Sequence, residues 1–147
     1  MPIVSVVDDW WGGRNVRELL PRLFFSHFPD TSFVAESDGL FIGFLVGFLS
    51  QASPEEAYIH FVGVHPDFRT RGLGRTLYQY FFDEAKKRGR SSVRCITSPV
   101  NKGSIAFHAH MGFLVERGDG EADGVSVHSN YDGVGGSRVL FAKRLGE

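Results

Sequence analysis

The chain has one cysteine, Cys95, which excludes an internal disulfide and with it the small disulfide-stapled scaffolds. Cys95 lies in Ser92-Val93-Arg94-Cys95-Ile96-Thr97, an alternating run that reads as a strand, where a lone thiol acts as a small buried hydrophobe. Long apolar runs are missing as well. No stretch approaches membrane-span length and no apolar segment follows a basic start, so the expected compartment is a reducing cytoplasm and a membrane is not an expected partner. Charge of one sign is also lacking: the formal net charge is −1, so the chain as a whole is no polyanion binder and no nucleic-acid partner is expected. No metal site is expected. Internal repeats, heptads and low-complexity tails are absent. A length of 147 residues suits one domain, 1–147, with a real core.

Pro2 to Val7 reads as a short edge strand, broken by Asp8 to Gly13, and Asn15 starts a helix running to about His27. In that helix Leu19, Leu20, Leu23 and Phe24 share one face. Ser32 to Glu36 and Leu40 to Leu49 flank Ser37-Asp38-Gly39, an Asp-Gly turn that signals a hairpin. The second run is apolar on both faces, as in a central strand. Glu56 to Val64 forms the next strand. The helix that begins near Leu73 buries Leu73, Leu77, Tyr80, Phe81 and Ala85, and Gly89 suits the left-handed position past its end. A short helix is expected over Lys102 to Met111 with Asn101 as its cap, then strands over Phe113 to Glu116 and Ser137 to Arg144. Arg117 to Gly136, rich in Gly and Asp, is expected as a long connection that is either functional or disordered.

The densest chemistry lies between the third of these strands and the long helix. Val62-Gly63-Val64 ends the strand, Pro66 and Asp67 turn the chain, and Arg69-Thr70-Arg71-Gly72-Leu73-Gly74-Arg75-Thr76 enters the helix. Glycines there let backbone N–H groups approach a bulky anion, and the helix start adds unpaired donors with the positive end of the dipole. Arg69, Arg71 and Arg75 add charge at the same place. The pattern is a pyrophosphate cradle. It is not a P-loop, because no Gly-Lys-Ser/Thr follows, and it is not a dinucleotide fingerprint, because Leu77 stands where a third glycine would be.

Arg-x-x-Gly-x-Gly after V-x-V-x-P resembles the GCN5-related N-acetyltransferase (GNAT) superfamily, and Asn101, Ser104, Phe107 and Met111-Gly112-Phe113 match a second segment of that family. The resemblance implies an α/β fold with a mixed, mostly antiparallel sheet of six or seven strands and about four helices. It implies acetyl-coenzyme A as the acyl donor and a primary amine of a small molecule as acceptor, and it leaves room for a homodimer. In this reading Arg69 through Thr76 hold the pyrophosphate, with Asn101, Ser104 and Phe107 also on the coenzyme. The main chain at Val62 and Val64 pairs with the pantetheine arm, and a backbone N–H near Val62 or Gly63 meets the oxyanion. The alternatives are acetylation of a protein N-terminus or lysine, and a non-catalytic acyl-coenzyme A sensor.

An alkylammonium must lose a proton before it attacks. His60 is the candidate base, or else a core histidine, and alternation puts Tyr58, His60, Val62 and Val64 on one face unless a bulge intervenes. Glu56, on the same parity, is the fallback. His108 is the candidate proton source for the leaving thiolate. Many family members have tyrosine there, and histidine at that place is similar to the phosphinothricin-type branch, whose substrates are small and amino-acid-like. Trp10, Trp11 and Arg14 are candidates to line the acceptor pocket, or the tryptophans close the core; Tyr131 and Asp132 are candidates of the same kind. The acidity of Glu121, Asp123 and Asp132 is expected to attract an amine-bearing substrate.

Overall fold

The computed structural model describes residues 22–69 and 71–146. The expected edge strand Pro2 to Val7 and the first turns of the Asn15 helix therefore lie outside the described residues. The chain divides into two compact units, one ending at Arg90 and one beginning at Ser91.

The first unit contains a short helix α1 (Leu23–His27), strands β1 (Phe33–Ser37), β2 (Leu40–Leu49) and β3 (Glu56–Val64), and the helix α2 (Leu73–Lys87). Asp38 and Gly39 both have positive φ, 51° and 79°, which is the twist that a two-residue hairpin between β1 and β2 requires. β2 pairs antiparallel with β1 on one side and β3 on the other, and residues 42–47 are buried. Its two faces do different jobs. A Cβ on Gly43 would stand 3.0 Å from Leu73, and one on Gly47 would stand 2.6 Å from Phe81, so these glycines let α2 lie close against the sheet. Phe44 and Val46 face the other way and form a core cluster with Phe24 of α1. Within α1, only Phe24 is buried; Leu23 is 46% exposed, so the shared face expected for the two is half realised.

α2 buries Leu77, Tyr78, Phe81, Phe82 and Ala85. The expected stripe had Tyr80 inside, but Tyr80 is 61% exposed. At 100° per residue, the 77/81/85 and 78/82 rows form one band, and position 80 falls well to its side. Lys86 and Lys87 close the last turn, and Gly89 takes φ 81° just beyond it, as the sequence indicates.

The second unit contains β4 (Ser92–Thr97), helix α3 (Lys102–His110), β5 (Leu114–Val115), a hairpin of β6 (Gly120–Ala122) and β7 (Val125–Val127), and β8 (Val139–Arg144). β8 lies between β4 and β5, antiparallel to both. With β1 to β3 this gives six strands of mostly antiparallel sheet, the separate β6–β7 ladder and three helices among the described residues, which is the expected mixed α/β class. The segment expected as a long connection, either functional or disordered, carries the β6–β7 hairpin, closed by Asp123 and Gly124 at φ 49° and 83°.

Candidate active site

β3 carries one residue too many for its partner. Phe61 sits opposite Val46 and Ile59 opposite Gly47, which leaves His60 as the extra residue of a β-bulge. Cross-strand partners share a face, so the bulge reverses the alternation. Val62 and Val64, opposite Leu45 and Gly43, face α2. Tyr58 stacks on Phe48 at 5.2 Å, and His60 stacks on Phe24 of α1 at 4.8 Å, both on the opposite face. The bulge that the sequence left open does intervene, so His60 lies on the face opposite Val62 and Val64. His60 is exposed, with one ring face braced by Phe24.

The bulge also sorts the main chain. His65 N–H donates to the Ile42 carbonyl at 2.7 Å, so Gly63 and Phe61, in the same phase, point toward β2. The N–H and C=O groups of Val62 and Val64 therefore point to the opposite edge of β3. Of the two candidates for meeting an oxyanion, Val62 has its N–H turned away from the ladder and Gly63 has it turned in.

After β3, Pro66–Phe68 form a 3₁₀ turn capped by His65, whose Nδ1 accepts the Asp67 N–H at 3.1 Å. The three arginines then take separate positions. Arg69 donates from Nε to the Val64 carbonyl at 3.1 Å, and the Arg71 guanidinium lies 4.9 Å above the Phe68 ring. Arg75 is exposed in the first turn of α2. The N–H groups of Arg69, Arg71 and Thr76 donate to the carbonyls of Pro66, Phe68 and Gly72, and the Thr76 hydroxyl also donates to the Gly72 carbonyl. Among the described residues no group accepts from the backbone N–H of Gly72, Leu73, Gly74 or Arg75. Gly72 precedes the helix at φ 75°, a left-handed conformation that glycine adopts without strain, and a Cβ there would meet nothing within 4 Å. No side chain caps α2, and its first turn holds no acidic residue. Those four donors fit an anion. Thr70 lies outside the described residues, as do Trp10, Trp11 and Arg14.

In the second unit Asn101 caps α3 as expected, its Oδ1 accepting the Ser104 N–H at 3.0 Å. His108 is buried at 6% exposure. Its Nδ1 lies 2.7 Å from the Ser104 carbonyl and 3.2 Å from the Ser104 hydroxyl, while its ring stacks on Phe141 at 4.7 Å with Phe107 and Phe113 edge-on. Burial pushes its pKa below the ordinary histidine value, partly opposed by the bond to Ser104, so the ring is neutral near pH 7. A carbonyl can only accept, so Nδ1 carries the proton of that neutral ring. This is the protonation state of a packed, anchored imidazole, and it removes the support for His108 as a proton source. Burial also drives the Cys95 thiol far up, which agrees with a reaction that needs no cysteine nucleophile.

Tyr131 is 49% exposed and packs edge-on against His128 at 6.3 Å. Two of the acids expected to draw in an amine are paired: Asp123 with Lys102 at 3.1 Å and Asp132 with Arg138 at 3.0 Å. The sequence allowed for a bulge in β3 without locating it. Its only signal was a histidine set into an otherwise apolar alternating run.

The model of the Acetyltransferase (GNAT) family matches residues 4–113, and the chain belongs to that family. An L-2,4-diaminobutyric acid acetyltransferase of Nocardia farcinica is 39% identical over 82 residues, 56% of this chain and 42% of that protein. The [Ribosomal protein bS18]-alanine N-acetyltransferase of Escherichia coli K12 is 32% identical over 65 residues, 44% of each chain. The chain thus matches less than half the length of these relatives. Among solved structures, yncA of Salmonella typhimurium, determined with its cofactor acetyl-CoA, superposes with a TM-score of 0.65 over 99% of this chain and 90% of that one. At 18% identity this similarity establishes the fold alone.

Proposed function

We propose that the protein is an N-acetyltransferase that moves the acetyl group of acetyl-coenzyme A directly to the primary amine of a small, amino-acid-like molecule. The observation that carries the reading is the open start of α2. Gly72, Leu73, Gly74 and Arg75 offer backbone donors with no side-chain cap, in a chain of the acetyltransferase family. The diaminobutyrate relative supports a small amine as acceptor.

In this reading the four donors and Arg75 hold the pyrophosphate, and the outward main chain of Val62 and Val64 pairs with the pantetheine arm as an added strand would. The thioester supplies the acetyl group. His60 takes a proton from the substrate ammonium, directly or through a water, and the neutral amine attacks the thioester carbonyl. The Val62 N–H meets the developing oxyanion. The C–S bond then breaks, the acylated nitrogen gives up its second proton to water, and the thiolate takes a proton from water, since His108 is neutral and anchored. A second reading, transfer to the N-terminal amine of a protein, is supported by the E. coli relative.

A thiol-release assay with acetyl-coenzyme A and three acceptors tests the choice: 2,4-diaminobutyrate, a panel of other amino acids, and a peptide beginning with alanine. The proposal expects release with a free amino acid. Release with the peptide alone favours the second reading. Coenzyme binding without release for any amine marks a sensor and overturns both.

A further inference from the structure

The bulge that turns His60 out of the ladder lies against α1. Phe24, the buried residue of that helix, stacks on the His60 ring at 4.8 Å with an interplanar angle of 13°. We propose that Phe24 is the positioning residue of the base: it holds the His60 imidazole in one orientation toward the amine and supports the imidazolium that forms when the proton moves. This deepens the reading in which His60 takes the substrate proton, and rests on it.

A bulged side chain gains from such a brace. Phe61 pairs with Val46 and Ile59 with Gly47, so the β2–β3 register skips His60, and the residue is exposed. An exposed imidazole on a strand samples several rotamers, and only some of them aim a ring nitrogen at a given point. A parallel ring at stacking distance removes much of that freedom before the substrate arrives. An aromatic face also attracts a cation, so the stack strengthens as His60 becomes charged.

Phe24 is itself fixed. It is 8% exposed and packs with Phe44 and Val46, and its ring centroid lies 5.6 Å from that of Phe28 and 6.4 Å from that of Phe48. The chain that leaves α1 is tied to the same place. The buried Thr31 hydroxyl donates to the Gly47 carbonyl at 2.7 Å, and the Gly47 N–H donates to the Ser32 hydroxyl at 3.4 Å. Gly47 is the β2 residue at which the register skips His60. α1 and the bulge are thus joined through the ring stack and again through Gly47, and the helix sets the orientation of the base.

Thiol-release kinetics with acetyl-coenzyme A and the fastest acceptor of the panel above test the role. Phe24→Leu keeps an apolar side chain and loses the flat ring. Its kcat is expected to fall about ten-fold through misplacement of the base, with the KM for acetyl-coenzyme A unchanged. Phe24→Tyr keeps the ring and restores most of the rate. In a His60→Ala background Phe24→Leu adds no further loss, because a residue that acts through another has nothing left to act on. Proton resonance spectra of the wild type should show cross-peaks between the Phe24 and His60 rings, and the shielded His60 ring protons should move downfield in Phe24→Leu. Wild-type kcat in Phe24→Leu, the same loss with and without His60, or no ring–ring cross-peaks overturns the positioning role and leaves His60 standing as the base. Wild-type kcat in His60→Ala removes the base, and the positioning role with it.

Discussion

At the start of α3 the Asn101 side chain accepts the Ser104 N–H at 3.0 Å, while α2 begins after Gly72, which turns in at φ 75° and has no side chain to cap with. Both helices follow a strand and a turn, and both begin with N–H groups that have no partner within the helix. α3 satisfies part of that need internally. α2 leaves it open and adds Arg75 to its first turn, with no acid to complement the positive end of the dipole. On its own that is an unfavourable way to begin a helix. It becomes favourable when an anion occupies the turn, and so the less well capped of the two starts is the one assigned to the coenzyme.

Breaking the open start should have the largest effect. Gly74→Glu places a carboxylate beside the free donors, and coenzyme A affinity is expected to fall by about a hundred-fold or more, the loss of two charge-assisted hydrogen bonds. Calorimetry reads the affinity and circular dichroism checks that α2 persists. Next comes the bulge. His60→Ala should lower kcat by on the order of a hundred-fold and remove the acidic limb of the pH–rate profile, because the base that titrates there is gone. An unchanged limb assigns the proton transfer to another group.

The capped start sharpens the contrast. Asn101→Ala should cost about 1 kcal/mol of stability through the lost cap, seen as a lower denaturant midpoint. The smallest effect concerns His108. Its native pKa lies below the ordinary value of about 6.5, so as pH falls the unfolded chain takes up the proton first. Its contribution is therefore complete above about pH 6.5 and is lost as pH falls toward the lowered native value. Urea midpoints should decline as pH falls below about 6.5, and decline less in His108→Phe, which keeps an aromatic ring beside Phe141.

The elements that local chemistry determines were legible in the sequence. β3 and β4 fall at Glu56–Val64 and Ser92–Thr97 as read, because each is an alternating run bounded by turn residues. α2 shows its start in Gly72 and its end in Lys86, Lys87 and Gly89. The cradle was legible for the same reason: its parts lie within a few residues of one another. The bulge was not, because the extra residue exists only relative to β2, where Val46 and Gly47 skip His60. That one residue decides which face the candidate base occupies. The β6–β7 hairpin was missed although Asp123-Gly124 repeats the Asp38-Gly39 signal; its strands are only three residues long, too short for alternation to register among the surrounding glycines. Tyr80 was placed inside from its spacing to Leu77, whereas the buried band is centred between the 77/81 and 78/82 rows.

Amide chemical shifts during a coenzyme A titration test the central claim most directly. The account predicts saturable shifts at the backbone N–H groups of Gly72, Leu73, Gly74 and Arg75, with Gly74 moving downfield as it donates to phosphate. Coenzyme A binding that leaves all four amides unmoved contradicts it.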